Sequence, residues 1–236
     1  MIVNVHAGHN PAGMTASGAV GLIDESTENR KVKEEVIRQL RILGYTVYDC
    51  TVDNGTSQSD VLKKITAKCN THQADLDVSI HFNSAADDKN GDGKTTGTEV
   101  YVYSETSGAK TYADRVCREI AALGFKNRGV KYSTGLYVLR HTKAPAMLIE
   151  CCFVDDRDDV QLYDYRKMAG AIVRGIAGKS AEVSEEEKTD EMPSAGGGEK
   201  GTLYRVQAGA YSVKENAEAM RKRLEEAGFD AIIIRE

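Results

Sequence analysis

The sequence predicts an α/β fold: a mostly parallel or mixed sheet flanked by helices, followed by a linker and a small C-terminal βαβ module. Three observations carry this prediction. Over residues 1–179, apolar runs of strand length alternate with stretches of helical period. Two of those runs, LDVSIHF at 76–82 and PAMLIECCFV at 145–154, are almost continuously apolar, as in strands covered on both faces. Residues 180–200 then gather seven acids, Pro193 and the Gly196–Gly198 triplet, a composition that opposes packing.

The elements follow in order. MIVNVHA is a short first strand. Residues 28–43 place Val32, Val36, Leu40 and Leu43 on one helical face, and Gly44 stops the helix. YTVYDC is the second strand. Ser57–Asn70 reads as a helix with Val61, Ile65 and Cys69 at spacing four. LDVSIHF is the central strand, and TEVYVYS at 98–104 follows a polar Gly-rich loop. A helix over 107–123 carries Tyr112, Val116, Ile120 and Leu123 as its stripe. GLYVLR at 135–140 reads as a short strand. PAMLIECCFV is a long one, whose leading Pro145 costs no ladder hydrogen bond. A single helix over about 157–177 closes the body.

Composition narrows the function. A chain of 236 residues, 41% hydrophobic and 28% charged, buries a sizeable core. It contains no run of 18 apolar residues, so no membrane-spanning helix and no membrane anchor of that kind is expected. The net charge of −5 resides in residues 180–200, while residues 1–179 hold 23 charges of each sign. A neutral body without clustered bases excludes nucleic acid as the expected partner. Five cysteines with no CxxC spacing argue against a disulfide framework or a thiolate zinc site, and for buried free thiols. The N-terminus lacks a basic n-region, so it reads as a strand and implies cytoplasmic synthesis without a signal peptide.

Chemistry concentrates at three places. His9 lies just past the first strand, in the turn Gly8-His9-Asn10-Pro11. His81 lies near the end of the central strand, and strand ends of open α/β sheets are where ligands collect. Glu150 interrupts the apolar run AMLIECCFV, where an ionised carboxylate is costly unless it is paired or bound to a metal. Residue pattern alone leaves two accounts open. His81 can be a satisfied core histidine, with Glu150 paired to Arg140 or Lys143. Alternatively, two imidazoles and carboxylate chemistry at strand ends can serve a zinc hydrolase.

The order of segments resembles the zinc-dependent N-acetylmuramoyl-L-alanine amidases of the amidase-3 family, in a phage-endolysin-like form, over about residues 1–178. The blocks are Gly8-His9, Glu25 with Asn29, Ser79–Asn83, Gly97–Ser104, Asn127–Lys131, Leu136–Arg140 and Pro145–Glu150 followed by Cys151-Cys152-Phe153. The resemblance implies zinc held by His9, Glu25 and His81, with Glu150 as the catalytic carboxylate. Glu25 is preferred over Asp24 and Glu28 because it stands nineteen residues before Gly44 with Asn29 four residues later, as in the family. Two departures stand out. His6-Ala7-Gly8-His9-Asn10 replaces the usual Pro-Gly-His-Gly turn, which makes His6 a second-choice ligand. Cys151-Cys152 replaces a Gly-containing step.

The implied activity is hydrolysis of the amide between N-acetylmuramic acid and L-alanine of bacterial peptidoglycan, with Glu150 as general acid/base. The cell wall is then the site of action, reached by phage-lysin-like release or mother-cell lysis. A non-catalytic peptidoglycan-binding protein and a zinc peptidase acting on the stem peptide are the alternatives. Three segments result: a catalytic domain at 1–179, an acidic linker at 180–202 and a module at 203–236. The last, Leu203–Ser212 with a helix at 214–227 and Phe229–Ile234, resembles the first half of a SPOR peptidoglycan-binding domain. About 34 residues are marginal alone, so truncation, packing on the body, or homodimer formation through the module are all open. One motif stands outside this scheme. Asp88-x-Asn90-x-Asp92-Gly93-x5-Glu99 matches an EF-hand calcium loop, but no helix leads in, and a polar turn-rich loop explains it as well.

Overall fold

The computed structural model describes residues 1–178 and, beyond them, only Lys214, Ala217, Glu218, Met220–Lys222, Ile232 and Ile233. The expected linker at 180–202 lies outside the described residues, as do both strands of the module apart from Ile232 and Ile233. The six described residues between 214 and 222 are helical, within the helix expected there.

The body is a six-stranded sheet of order β2-β1-β3-β6-β4-β5. The strands are β1 (Ile2–Ala7), β2 (Thr46–Asp49), β3 (Leu76–Asn83), β4 (Thr98–Val102), β5 (Asn127–Tyr132) and β6 (Ala146–Phe153). All neighbours run parallel except β4 and β6, which are antiparallel. The helices are α1 (Glu25–Ile42), α2 (Gln58–Cys69), α3 (Lys110–Ala121), α4 (Tyr137–His141), α5 (Arg157–Leu162) and α6 (Tyr165–Ala177).

Alternation along the strands sorts side chains onto two faces. Val3, Val5, Val78, Ile80, Val100, Met147 and Ile149 join α1, α3 and α6 in the larger core. Leu148 and Ala146 point the other way, into a smaller core with Val61, Ile65, Val138 and Leu139 of α2 and α4. That second face is partly polar. Asn4, His6, Asp77, Ser79 and Glu99 are all buried on it. The sequence shows a nearly continuous apolar strand, and the few polar letters within it mark the face that carries the chemistry.

Three expectations are corrected. GLYVLR does not add a strand: Tyr137–His141 is helical, because adjacent Val138 and Leu139 are buried against α2, which a strand's opposite-pointing neighbours cannot achieve. The helix expected over 157–177 is two. Asp164 stops the first by capping the second, accepting hydrogen bonds from the N–H groups of Arg166 and Lys167. An unforeseen edge strand, Asn127–Tyr132, is polar and half exposed, so it lacks the apolar alternation that reveals a strand. Smaller shifts occur at ends: α1 begins at Glu25, capped by Asp24 through its bond from Thr27 N–H.

Candidate active site

His9, Glu25 and His81 converge at the C-terminal edge of β1 and β3. One potential ligand atom from each lies within 4.8 Å of the others. His81 Nδ1 is 3.0 Å and His9 Nε2 is 3.4 Å from Glu25 Oε1. The two imidazoles meet edge to face with centroids 5.0 Å apart.

Each side chain is delivered by local structure. His9 sits at φ +65°, in the left-handed region that non-glycine residues enter at a cost and that recurs at functional sites. Its backbone is pinned: Arg30 donates to the His9 carbonyl at 3.0 Å and Asn29 Nδ2 to the Gly8 carbonyl at 2.9 Å. Asn10, fully buried, bridges to both N–H and C=O of Gly55. Glu25 opens α1 and accepts from the N–H groups of Ala19 (2.8 Å) and Phe82 (3.1 Å). Two glycines make room. A Cβ at Gly8 would lie inside the His81 ring, and one at Gly18 would collide with the Glu25 carboxylate.

Electrostatics follow from burial. Burial alone pushes Glu25 up, but hydrogen bonds from His81 and His9, and their charge, outweigh it and hold the carboxyl well below the usual range. Glu28 and Asp24, the other acids near the start of α1, are used elsewhere. Glu28 pairs with Lys31 and accepts from the Tyr163 hydroxyl, while Asp24 caps the helix. His6 is not in the three-donor group. It is buried beside Ser79, with Nδ1 3.5 Å from the Ser79 hydroxyl, and burial lowers its pKa to about 3, so it is neutral.

Glu150 is the register partner of His81 on the adjacent strand, and therefore points to the same face. It has no ion pair to Arg140 or Lys143, and its buried Oε2 lacks a hydrogen-bond partner among the described residues. Burial first, and the charges of Glu25 and Glu99 second, push its pKa up to about 8. Just beyond it the β3–β6 register slips, with Phe82 of β3 facing two residues of β6, so Cys151-Cys152 forms a bulge. Both thiols are buried and raised well above their ordinary value. A cleft of about 560 Å³, between α2 and α4, opens onto His9, His81 and Glu150.

The calcium-loop match does not assemble. Glu99, its last ligand position, faces the sheet and binds Asn83, Tyr101 and Arg128 instead. Asp88 lies with Asp156 and Asp158, whose oxygens are taken by the backbone N–H groups of residues 92, 93, 96 and 159. Sequence reasoning missed two participants, Gly18 and Arg128. It also missed what Ser79 touches, though alternation from His81 places Ser79 on its face.

Two imidazoles and a carboxylate thus gather at the C-terminal edge of a covered α/β sheet, beside a buried glutamate, a group of donors that could hold a metal ion. The family model described as N-acetylmuramoyl-L-alanine amidase matches residues 3–178, and the chain belongs to that family. A SPOR domain model matches residues 194–235. An uncharacterised protein of Clostridium perfringens is 38% identical over 164 residues, 69% of this chain and 47% of its own length. A sporulation-specific N-acetylmuramoyl-L-alanine amidase of Bacillus subtilis is 29% identical over 97% of this chain and 81% of its own. Among solved structures, the catalytic domain of the CD27L endolysin targeting Clostridium difficile superposes with a TM-score of 0.67. It is 27% identical, over 76% of this chain and 98% of that one. The chain spans about half the length of the Clostridium perfringens relatives.

Proposed function

We propose that residues 1–179 form a zinc-dependent N-acetylmuramoyl-L-alanine amidase domain that hydrolyses the bond between the lactyl group of N-acetylmuramic acid and L-alanine in peptidoglycan. His9, Glu25 and His81 would hold the metal. The donor set suits zinc, and the clearance supplied by Gly8 and Gly18 leaves the three donors unobstructed. Zinc bound there supplies a Lewis acid toward the carbonyl and acidifies water. Glu25 brings one negative charge, so the complex stays cationic, and its two backbone N–H bonds fix the carboxylate.

The observation that carries the reading is Glu150: buried, in register with His81, with an unpartnered Oε2. An ionised carboxylate in that position takes a proton from attacking water and, as the carboxylic acid, returns it to the departing alanine nitrogen. Its raised pKa suits a group that exchanges a proton near neutrality. The likeness to N-acetylmuramoyl-L-alanine amidases and endolysins supports the substrate, and the SPOR match supports a second peptidoglycan-binding module at residues 203–236. Among the described residues no helix is long and apolar enough to cross a membrane.

Clearing of a bacterial wall suspension, with and without chelator, together with product analysis tests this. New alanine α-amino groups without new reducing sugar ends are expected, and chelator should stop their release. New amino groups from residues other than alanine would point to a stem-peptide peptidase. Binding without any release would point to a non-catalytic wall protein.

A further inference from the structure

The row of side chains that begins at His81 does not end at Glu150. Strands β3, β6, β4 and β5 are consecutive in the sheet, and His81, Glu150 and Glu99 are successive register partners. Between Thr98 and Val100 the β4–β5 register slips, so Arg128 and Gly129 together face Glu99. Arg128 Nε donates to Glu99 Oε2 at 2.9 Å. The row therefore reads imidazole, carboxyl, carboxylate, guanidinium across four strands.

Glu99 is saturated: Asn83 Nδ2 (2.9 Å) and the Tyr101 hydroxyl (3.0 Å) hold Oε1, and Arg128 holds Oε2. Arg128 is not. An arginine paired with a carboxylate frequently meets it with two parallel N–H bonds. Here a single Nε makes the contact. The guanidinium carbon lies 5.1 Å from the centroid of the Phe153 ring, which fixes the plane. The two terminal nitrogens have no hydrogen-bond partner among the described residues, and the side chain is 32% exposed. A planar fork, held on two sides and left open on the third, is built to receive another carboxylate.

Its distance from the chemistry sets which one. Arg128 stands two strands beyond Glu150, or about 10 Å at the usual strand spacing. An extended peptide covers that in about three residues. We propose that Arg128 binds the free carboxylate of the stem peptide nearest the cleaved amide, making it a specificity-determining residue for wall peptides that carry this group as an acid rather than a carboxamide. The proposal rests on the amidase reading above.

The test uses soluble glycan strands whose stem peptides carry that carboxyl either free or as the carboxamide. Steady-state kinetics are compared for the wild type, Arg128→Gln and Arg128→Lys. The wild type is expected to favour the acid about tenfold, chiefly through KM, as a charge-assisted forked pair can supply. Arg128→Gln should bring the acid-to-amide ratio within about twofold of unity, and Arg128→Lys should keep part of the preference through charge alone. Because the ratio is taken within one variant, a reduced folded fraction cancels. Equal rates on both substrates by the wild type, or a preference unchanged in Arg128→Gln, overturns the proposal. If the wild type releases no alanine amino group from either substrate, the amidase reading itself fails and takes this proposal with it.

Discussion

Ser79 Oγ lies 3.0 Å from His81 Nε2, on the side of the ring away from Glu25. The other ring nitrogen, Nδ1, faces Glu25 at 3.0 Å. Ser79 therefore fixes which nitrogen is turned toward the proposed metal, while His6, neutral and buried, lies on its far side at 3.5 Å. Outer-shell partners of this kind typically carry about a 10–100-fold effect on metal affinity. Ser79→Ala should weaken zinc binding by that order, read by competition with a chromophoric chelator, and should alter the visible spectrum of the cobalt-substituted protein. Unchanged zinc affinity would remove Ser79 from the site's support.

Gly8→Ala is expected to act more severely and through a different cause. A methyl group there would occupy the space of the His81 ring, whose rotamer is the one that turns Nδ1 to Glu25. The ring must swing away. Zinc binding should fall by more than about 100-fold, while circular dichroism still shows the α/β fold, since Gly8 lies past the end of β1. Tight zinc binding in this variant would show that the three-donor geometry is not the metal site.

How much of this was legible in the sequence depends on what each residue interrupts. His81 and Glu150 stand out because they break apolar strands, and their register partnership follows once those strands are paired. Glu25 needed the spacing to Gly44, since composition alone does not separate it from Asp24 and Glu28. Arg128 was illegible as a site residue for a physical reason. It sits on a polar edge strand with no periodicity, and its links to the site, through Glu99 paired with Glu150 and through the Phe153 ring, exist only once the strands are assembled. The helical turn at Tyr137–His141 was misread because five residues are too few for a helical period to show. The five cysteines are all free and buried, in keeping with the expectation from their number and spacing.

Stability should depend on pH through Asp77. It is buried on the polar face, with Asn4 Nδ2 donating to Oδ1 at 2.6 Å and Oδ2 without a hydrogen-bond partner among the described residues. Burial raises its pKa to about 6 against the lowering effect of Asn4 and Cys69. An acid whose folded pKa is raised binds more protons in the folded state between its unfolded value of 3.8 and about 6. Stability contributed by this group therefore falls as pH rises across that window and stays reduced above it. Two pKa units correspond to about 3 kcal/mol as an upper figure. Asp159, also raised to about 6 by burial, has the same sign. Asp77→Asn should thus remove this group's contribution to the pH dependence between pH 4 and 6 in urea unfolding, making stability fall less steeply, or rise more, with pH than in the wild type. An unaltered slope would mean that Asp77 is not protonated in the folded protein at low pH.

Glu150→Gln separates metal binding from proton transfer. The substitution keeps volume and hydrogen-bonding shape but abolishes the group's ability to take a proton. Because Glu150 is not among the three clustered donors, zinc content after dialysis should equal that of the wild type. Hydrolysis of the wall amide should drop by about 10²–10⁴-fold, the range for loss of a general acid–base. The pH profile gives a second reading. In the wild type, kcat/KM should rise with pH as Glu150 ionises. A cation beside it draws its pKa down, so this limb should lie below the value of about 8 that burial and the charges of Glu25 and Glu99 impose. The residual activity of the variant should lack that limb. A Glu150→Gln protein with full zinc and near-wild-type turnover would leave the acid–base role to another group. Of its two register partners, His81 belongs to the proposed metal-holding set, and the oxygens of Glu99 are already bound to Asn83, Tyr101 and Arg128.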